Sequence, residues 1–230
     1  MLATLGPSCT NLTSDVHAPV AVEFVTVASP FVDLGDTLPL TVRVLDRAGD
    51  SVPGAVVTLT VLDTAYLLLD SARLAVVGKA LAASARVVAA SSGLRSDPLA
   101  IRVLSGHTDS LALAGPPAFS VAAADSVSGS LTVAVYDATT TPGSATALGD
   151  RPVLFTLVEP VFADAGSATA VLGNNALSRA VTTASDGTAS VTVKRRGSTQ
   201  PDSVVVQASA ARGNGAALRG SPVRFVVRFL

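Results

Sequence analysis

The chain has little of what proteins normally use for disulfides, aromatic recognition surfaces and exposed helices. It contains no tryptophan and a single cysteine, and aromatic residues make up 4% of its 230 residues. One cysteine cannot form an intramolecular disulfide, so apolar packing and strand pairing must hold the fold together. Glutamate and lysine, which usually cover helix surfaces, occur only at Glu23, Glu159, Lys79 and Lys194. This scarcity argues against a helical protein.

Charge is also sparse, and no long apolar run is present. The formal net charge is −1, and no cluster of Lys or Arg occurs beyond Arg195-Arg196 and the adjoining Lys194. Nucleic-acid binding needs a basic patch, so we expect no nucleic-acid partner. We read Arg195-Arg196 as a solvated strand end. No stretch approaches the roughly 18–20 apolar residues that a membrane-spanning helix requires, so we expect none.

The residues that are abundant, Val, Thr, Ser and Ala, alternate with period two between turns rich in Gly, Pro and Asp. Such alternation predicts half-buried β-strands. The Ala-rich segment 79–90 lacks helical apolar spacing, so it is also predicted as strand rather than helix. The predicted strands are 20–27, 37–46, 55–62, 66–69, 74–78, 84–90, 99–104, 110–114, 129–137, 151–159, 168–172, 178–183, 189–194, 203–210 and 222–229. Many short strands separated by turns are typical of sandwiches or barrels.

Several runs carry a family resemblance. Gly35-Asp36-Thr37-Leu38 before a Leu-Thr-Val strand, the loop 45–54 and the run 69–77 resemble bacterial immunoglobulin-like domains of the group 2 kind. Val133-Ala134-Val135-Tyr136-Asp137, the run 151–157 and above all 182–193 are similar to the group 1 kind repeated in invasin and intimin adhesins. The resemblance implies an all-β protein of two tandem immunoglobulin-like β-sandwiches.

The predicted organisation follows from where the strand pattern stops and restarts. Residues 1–19 form an N-terminal tether or signal remnant, 20–104 the first sandwich, 105–109 a linker without an apolar anchor, and 110–230 the second sandwich. Two long loops, 138–150 and 211–220, are predicted as solvated excursions, with functional surface as the alternative. In the turn before strand 189–194, Asp186-Gly187 requires a glycine with positive φ.

No residues are arranged for catalysis or for binding a cofactor or metal. His17 and His107 fall in the tether and the linker, and neither has a nucleophile beside it, so both are predicted as solvated residues. Asp46 with Asp50, or Asp33 with Asp36, could ligate calcium, but two carboxylates fall short of the roughly six to eight oxygens that calcium takes. We therefore predict no enzyme, no metal and no cofactor.

Cys9 is the single candidate modification site. It follows Gly6-Pro7-Ser8 and a short apolar segment, and precedes a polar stretch, which resembles the end of a bacterial lipoprotein signal peptide. The resemblance implies a lipidated Cys9, and a start assigned too far downstream would explain the short apolar run. The alternative is an incidental cysteine in a frayed terminus.

The resemblance implies a non-enzymatic, extracytoplasmic protein that acts as a cell-envelope spacer or adhesion module. Its partner would be an unknown protein or glycan at the envelope, and it would touch a membrane only through a lipid on Cys9. The alternatives are a polysaccharide-binding module or a non-catalytic fragment of a larger secreted enzyme. Carbohydrate platforms usually need exposed aromatic faces, and Tyr66 and Tyr136 both fall in predicted strands, which weakens the polysaccharide alternative.

Overall fold

A computed structural model describes residues 17–25, 30–122, 126–137, 145–196 and 202–230. Within these ranges all regular structure is β-strand. No segment there forms a helix long and apolar enough to cross a membrane. The first ten strands are β1 (Ala21–Phe24), β2 (Phe31–Asp33), β3 (Thr37–Pro39), β4 (Val42–Leu45), β5 (Thr58–Val61), β6 (Leu67–Asp70), β7 (Ala75–Gly78), β8 (Ala82–Ser91), β9 (Leu94–Arg95) and β10 (Leu99–Leu104). The other ten are β11 (Thr108–Leu113), β12 (Ala118–Val121), β13 (Leu131–Asp137), β14 (Pro152–Glu159), β15 (Ala170–Leu172), β16 (Ser178–Thr182), β17 (Thr188–Val191), β18 (Val193–Arg195), β19 (Ser203–Ser209) and β20 (Val223–Phe229).

In the first sandwich, β1 pairs with β4, and β3 pairs with β7, which pairs with β6. Only Leu40 and Thr41 separate β3 from β4, so these two strands act as one interrupted strand. That strand joins the β1-β4 pair and the β3-β7-β6 group into a single layer. The other layer has the order β2-β10-β8-β5, with β9 beside β8 and β2 parallel to β10. The chain therefore switches layers between β1 and β2.

The second sandwich repeats this plan. One layer is β11-β13-β17, and β18 continues β17 after Thr192 and pairs with β15. The other layer is β12-β20-β19-β14-β16, with β12 parallel to β20. In immunoglobulin-like folds the first, second and fifth strands share a layer, and the third, sixth and seventh form the other. Both sandwiches have this order, so the predicted fold class of two tandem immunoglobulin-like β-sandwiches is confirmed.

Each sandwich buries its own apolar cluster. The first cluster is aliphatic, with Leu59, Leu67 and Ile101 among its members. The second is larger and includes Phe155 and Phe225, which are fully buried. Both clusters come from the inward side of alternating strands, as the period-two pattern requires.

Every predicted strand overlaps an observed one, and the Ala-rich segment 79–90 contains the start and most of β8, which confirms that it is not a helix. The strands β2, β9 and β12 were not predicted. They are two to four residues long, so local alternation is too short to reveal them, and β2 and β12 also pair with strands distant in sequence. Tyr66, predicted within a strand, lies instead in the turn just before β6 and is exposed.

The segment 105–109 differs from the prediction in one respect. β11 begins at Thr108, so Thr108 and Asp109 belong to the second sandwich rather than to a loop, and both are buried. Their polar side chains explain why the sequence shows no apolar anchor there. Three residues, 105–107, connect β10 to β11. The N-terminal segment through residue 16, with Cys9, and residues 138–144 of the loop 138–150 lie outside the described residues.

Candidate functional site at the junction of the two sandwiches

The most elaborate polar cluster in the described part of the chain lies where the sandwiches meet. Its centre is an ion pair between Asp33, the last residue of β2, and Arg151, which immediately precedes β14. Arg151 Nη2 lies 2.8 Å from Asp33 Oδ1, and the side chains are 3% and 1% exposed. Asp33 Oδ1 accepts no hydrogen bond of good geometry in the described structure, so its contact with Arg151 is ionic. A buried charge without a partner is energetically unfavourable, so Asp33 and Arg151 must stay in ionic contact.

The connecting residues complete the coordination of both charges. The backbone N–H of Thr108 donates to Asp33 Oδ2 at 2.7 Å, while the Thr108 hydroxyl accepts from Arg151 Nε at 2.6 Å. Arg151 Nη2 also donates to the Ser105 carbonyl, and Nη1 donates to the Gly149 carbonyl at 3.0 Å. The pair is thus tied to the first sandwich, the connection and the second sandwich at once.

An aromatic ring covers the guanidinium of Arg151. Its Cζ atom lies 5.6 Å from the centre of the Phe31 ring, within range of a cation–π contact. Burial lowers the pKa of Arg151, and the charge of Asp33 opposes that shift. An arginine keeps its proton in proteins, so the guanidinium remains a cation.

The backbone of Arg151 is positioned by the second sandwich itself. Its N–H donates to the hydroxyl of Thr183 at 3.0 Å, and that hydroxyl donates to the Leu148 carbonyl at 2.8 Å. Thr183 is buried, directly after β16. Arg151 therefore projects from a fixed backbone rather than from a loose loop.

A second group of polar contacts involves His107 and Asp109, the residues on either side of Thr108. Asp109 contacts Arg212 at 3.3 Å and contacts Arg219 more closely, and all three belong to the second sandwich. His107 donates its backbone N–H to Asp137 Oδ1 at 2.8 Å, and its Nδ1 atom lies 3.3 Å from Asp36 Oδ1 of the first sandwich. The predicted solvated His107 is thus exposed but has a carboxylate neighbour.

The loop 211–220 packs against the first sandwich, contrary to the prediction of a solvated excursion. Gly213 lies so close to the Phe31 carbonyl that an added Cβ would overlap it. The described part of the other long loop, 145–150, also reaches the joint: Gly149 accepts from Arg151, and the Asp150 carbonyl accepts from Arg102 at 3.4 Å. Loops that read as exposed from composition are here contact surfaces because another sandwich adjoins them.

An apolar cleft of about 740 Å³ opens beside this joint. Its wall includes residues of the first sandwich (Phe31, Leu40, Leu99) and of the second (Pro152, Leu154, Ala180). The lining is mainly apolar and also includes Gln207, Arg212 and Asn214.

The acidic pairs weighed as calcium ligands serve other roles. Asp46 Oδ1 accepts from the backbone N–H groups of Ala48 and Asp50 at 2.9 and 3.0 Å, which closes a turn, and its Oδ2 atom lies 3.2 Å from His17. These contacts hold the pKa of Asp46 below its usual value, against the effect of desolvation. Asp33 forms an ion pair with Arg151. Across the described ranges, no group of three or more His, Cys, Asp or Glu side chains could hold a metal.

The two adjacent arginines are only partly solvated. The guanidinium of Arg195, at the end of β18, lies 5.5 Å from the centre of the Phe229 ring, and Arg196 donates to the Ala165 carbonyl at 2.6 Å. They cover the edge of the second core rather than form a binding patch.

Sequence reasoning missed the joint residues. Asp33 entered only as half of a calcium pair, and Arg151 only as the start of a strand. Polar residues in a segment that connects two strand patterns are the one available signal, but ordinary loops carry the same signal. The partner of each charge lies more than a hundred residues away, so pairing could not be read locally.

Comparisons with known proteins give similarity in structure only. No family model and no curated protein matches the chain. Among solved structures, the Yersinia pseudotuberculosis adhesin InvE matches with a TM-score of 0.39 and 16% identity, covering 90% of this chain and 58% of that one. The D00-D0 domain of intimin matches at 0.34 and 18%, covering 91% and 98%. The Escherichia coli adhesin FdeC matches at 0.32 and 15%, covering 91% and 65%. The chain spans less than two thirds of the InvE structure, and the fold assignment rests on the strand order.

Proposed function

We propose that this chain is a non-enzymatic spacer or adhesion-type module that works outside the cytoplasm at a bacterial cell envelope. The observation that carries the proposal is the joint. Two sandwiches follow each other with a connection of three residues and a buried ion pair between them. A spacer whose domains keep their relative position holds its two ends at a fixed distance.

Two further observations support the proposal. The invasin-like and intimin-like runs of the second sandwich resemble domains that occur repeated in adhesins. Within the described residues, no group of three or more His, Cys, Asp or Glu side chains could hold a metal ion, and Asp33 and Arg151 at the joint bind each other and Thr108. The partner of such a module is a protein or a glycan of the envelope or its surroundings.

Location is tested in the native host. Intact cells are treated with a protease that cannot enter them, and the chain is followed with a specific antibody. Loss of the chain from intact cells, while a cytoplasmic marker survives, is the expected result. Full protection of the chain in intact cells, with digestion after lysis, would refute the proposed location.

Adhesion is tested with beads that carry the purified chain, compared with beads that carry albumin. Retention on purified envelope protein supports a protein partner, and retention on a glycan array supports the polysaccharide-binding alternative. Tyr66 is the aromatic residue that the described surface exposes, so a Tyr66→Ala chain is the matched variant for glycan binding. Turnover of any substrate in a hydrolase panel would overturn the non-enzymatic assignment.

Attachment through lipid on Cys9 is part of the same proposal. Metabolic labelling with a clickable fatty acid should label the chain and should fail for Cys9→Ser, which would then leave the membrane fraction. Equal labelling of both, or labelling of neither, would reject the anchor and leave Cys9 an ordinary terminal residue.

A further inference from the structure

We infer that Asp33 and Arg151 form an orientation lock, which holds the two sandwiches at one fixed angle to each other. The inference concerns only the joint and does not depend on which partner the module binds. The inference rests on three observations. The pair is buried, equivalent positions in the sandwiches do not form it, and the connection is short and held by hydrogen bonds.

Burial makes the pair sensitive to small rotations. A rotation that separates Arg151 from Asp33 by a few ångströms breaks the ionic contact between two side chains that are only 3% and 1% exposed. An unpaired buried charge is strongly unfavourable, whereas a buried pair compared with apolar residues adds little net stability. The pair therefore specifies one geometry more than it adds affinity between the sandwiches.

The equivalent positions at the opposite ends of the two sandwiches carry no charge. Val32 pairs with Val103 at the end of the first sheet, and Val121 pairs with Phe229 in the second, so Ala122 corresponds to Asp33. Leu59 and Phe155 pair with equivalent alanines, Ala89 and Ala208, which makes Ala55, four residues before Leu59, the counterpart of Arg151. Each sandwich thus carries only one of the two charges, at the end that faces the other sandwich. The pair belongs to the joint.

The connection between the sandwiches is itself part of the lock. Ser105, the first residue of the connection, and Thr108, the residue that follows it, both accept hydrogen bonds from Arg151, and the Thr108 N–H donates to Asp33. Gly213 of the second sandwich approaches the Phe31 backbone carbonyl too closely for a larger residue. A hinge needs residues free to change their backbone angles, and these are held at both ends.

The test measures the angle directly. Spin labels are placed at Thr60→Cys in β5 and Ser178→Cys in β16, both exposed, in a full chain that also carries Cys9→Ser. Pulsed electron resonance then gives the distribution of distances between the labels. We expect a single narrow distribution for the otherwise unchanged chain and a distribution at least twofold wider for Asp33→Asn, which keeps the size of the side chain but removes its charge.

The matched control is Asp63→Asn. Asp63 forms an ion pair with Arg86 at 3.0 Å, but this pair is partly exposed and lies within the first sandwich. The control should keep the narrow distribution. Circular dichroism confirms that each variant retains its β-structure, and if Asp33→Asn does not fold, Thr108→Val removes the hydroxyl that holds Arg151 and should widen the distribution in the same direction.

Three results would overturn the inference. One is a broad distribution for the unchanged chain. Another is an equally narrow distribution for the folded Asp33→Asn chain, or for folded Thr108→Val where Asp33→Asn does not fold. The last is equal widening by Asp63→Asn, which would attribute the effect to lost charge in general. Because the pair is buried, the narrow distribution of the unchanged chain should also persist in 1 M salt, where a Debye length of about 3 Å screens exposed pairs.

Discussion

The two sandwiches share a strand order but differ in how they fill their interiors. The first core cluster is aliphatic, while the second is larger and contains the buried rings of Phe155, Phe225 and Phe229. Phe31 of the first sandwich is also buried but lies outside its core cluster, beneath the guanidinium of Arg151. The first sandwich thus places its buried ring at the joint. The same strand order thus accommodates an aliphatic core and a core with aromatic rings. The contacts among Asp33, Arg151 and Phe31 lie where the two sandwiches meet.

The joint should respond most strongly to substitution. Arg151→Ala leaves Asp33 buried without its counterion, and breaking a buried ion pair costs about 3–5 kcal/mol. We expect this loss in the free energy of unfolding, measured by urea denaturation. The double variant Asp33→Asn with Arg151→Met should recover much of it, because neither charge remains. A cost below about 1 kcal/mol for Arg151→Ala would show that the two sandwiches do not depend on the pair.

The turns of the two sandwiches offer a second contrast. Gly187 has φ of +75°, and an added Cβ would lie 2.5 Å from Ala147 Cβ. Gly54 has φ of +70° but nothing within 4 Å of such an atom. Gly187→Val should cost about 1–3 kcal/mol and Gly54→Val less, since the latter has backbone strain without overlap. Thermal unfolding measures both, and an unchanged melting midpoint for Gly187→Val would contradict the strain argument.

Acid should weaken both sandwiches through turn carboxylates. The backbone N–H and hydroxyl of Thr188 hold the pKa of Asp186 below its ordinary value, and in the first sandwich Arg86 lowers the pKa of Asp63 through its side chain and backbone. A lowered folded-state pKa means that the stabilisation is fully present above the unfolded pKa of about 3.9 and is lost as pH falls through the folded value. Asp186→Asn should flatten this part of the dependence. A loss of stability on acidification that is as large in Asp186→Asn as in the unchanged chain would contradict it.

The smallest effect is expected at an exposed pair on the edge of the first sandwich. Arg43 donates to Glu23 at 2.8 Å, and both side chains are about half exposed. Exposed pairs contribute about 0–1 kcal/mol and are screened by salt, so Glu23→Gln should change the unfolding free energy by less than about 0.5 kcal/mol. A larger loss would mean that β1 depends on this contact for its pairing with β4, and the chemical denaturation curve would reveal it.

Much of the candidate site lay beyond sequence reasoning for an identifiable cause. The strands followed from alternation, since one buried and one exposed side chain per two residues is a local requirement. The short β2 and β12 were missed because each pairs in parallel with a strand some seventy residues or more away. The loop 211–220 was read as solvated, whereas Gly213 abuts the first sandwich.

What the sequence determined by itself is the all-β architecture, its layered alternation and the turn at Gly187. These depend on residue propensities, period-two patterning and the backbone freedom of glycine, all of which act over a few neighbouring residues. Only the tertiary structure decided that Asp33 forms an ion pair with Arg151 and does not ligate calcium together with Asp36. It also decided that Thr108 begins a strand. The physical reason is that a buried charge takes its role from whichever opposite charge the fold brings within ionic contact.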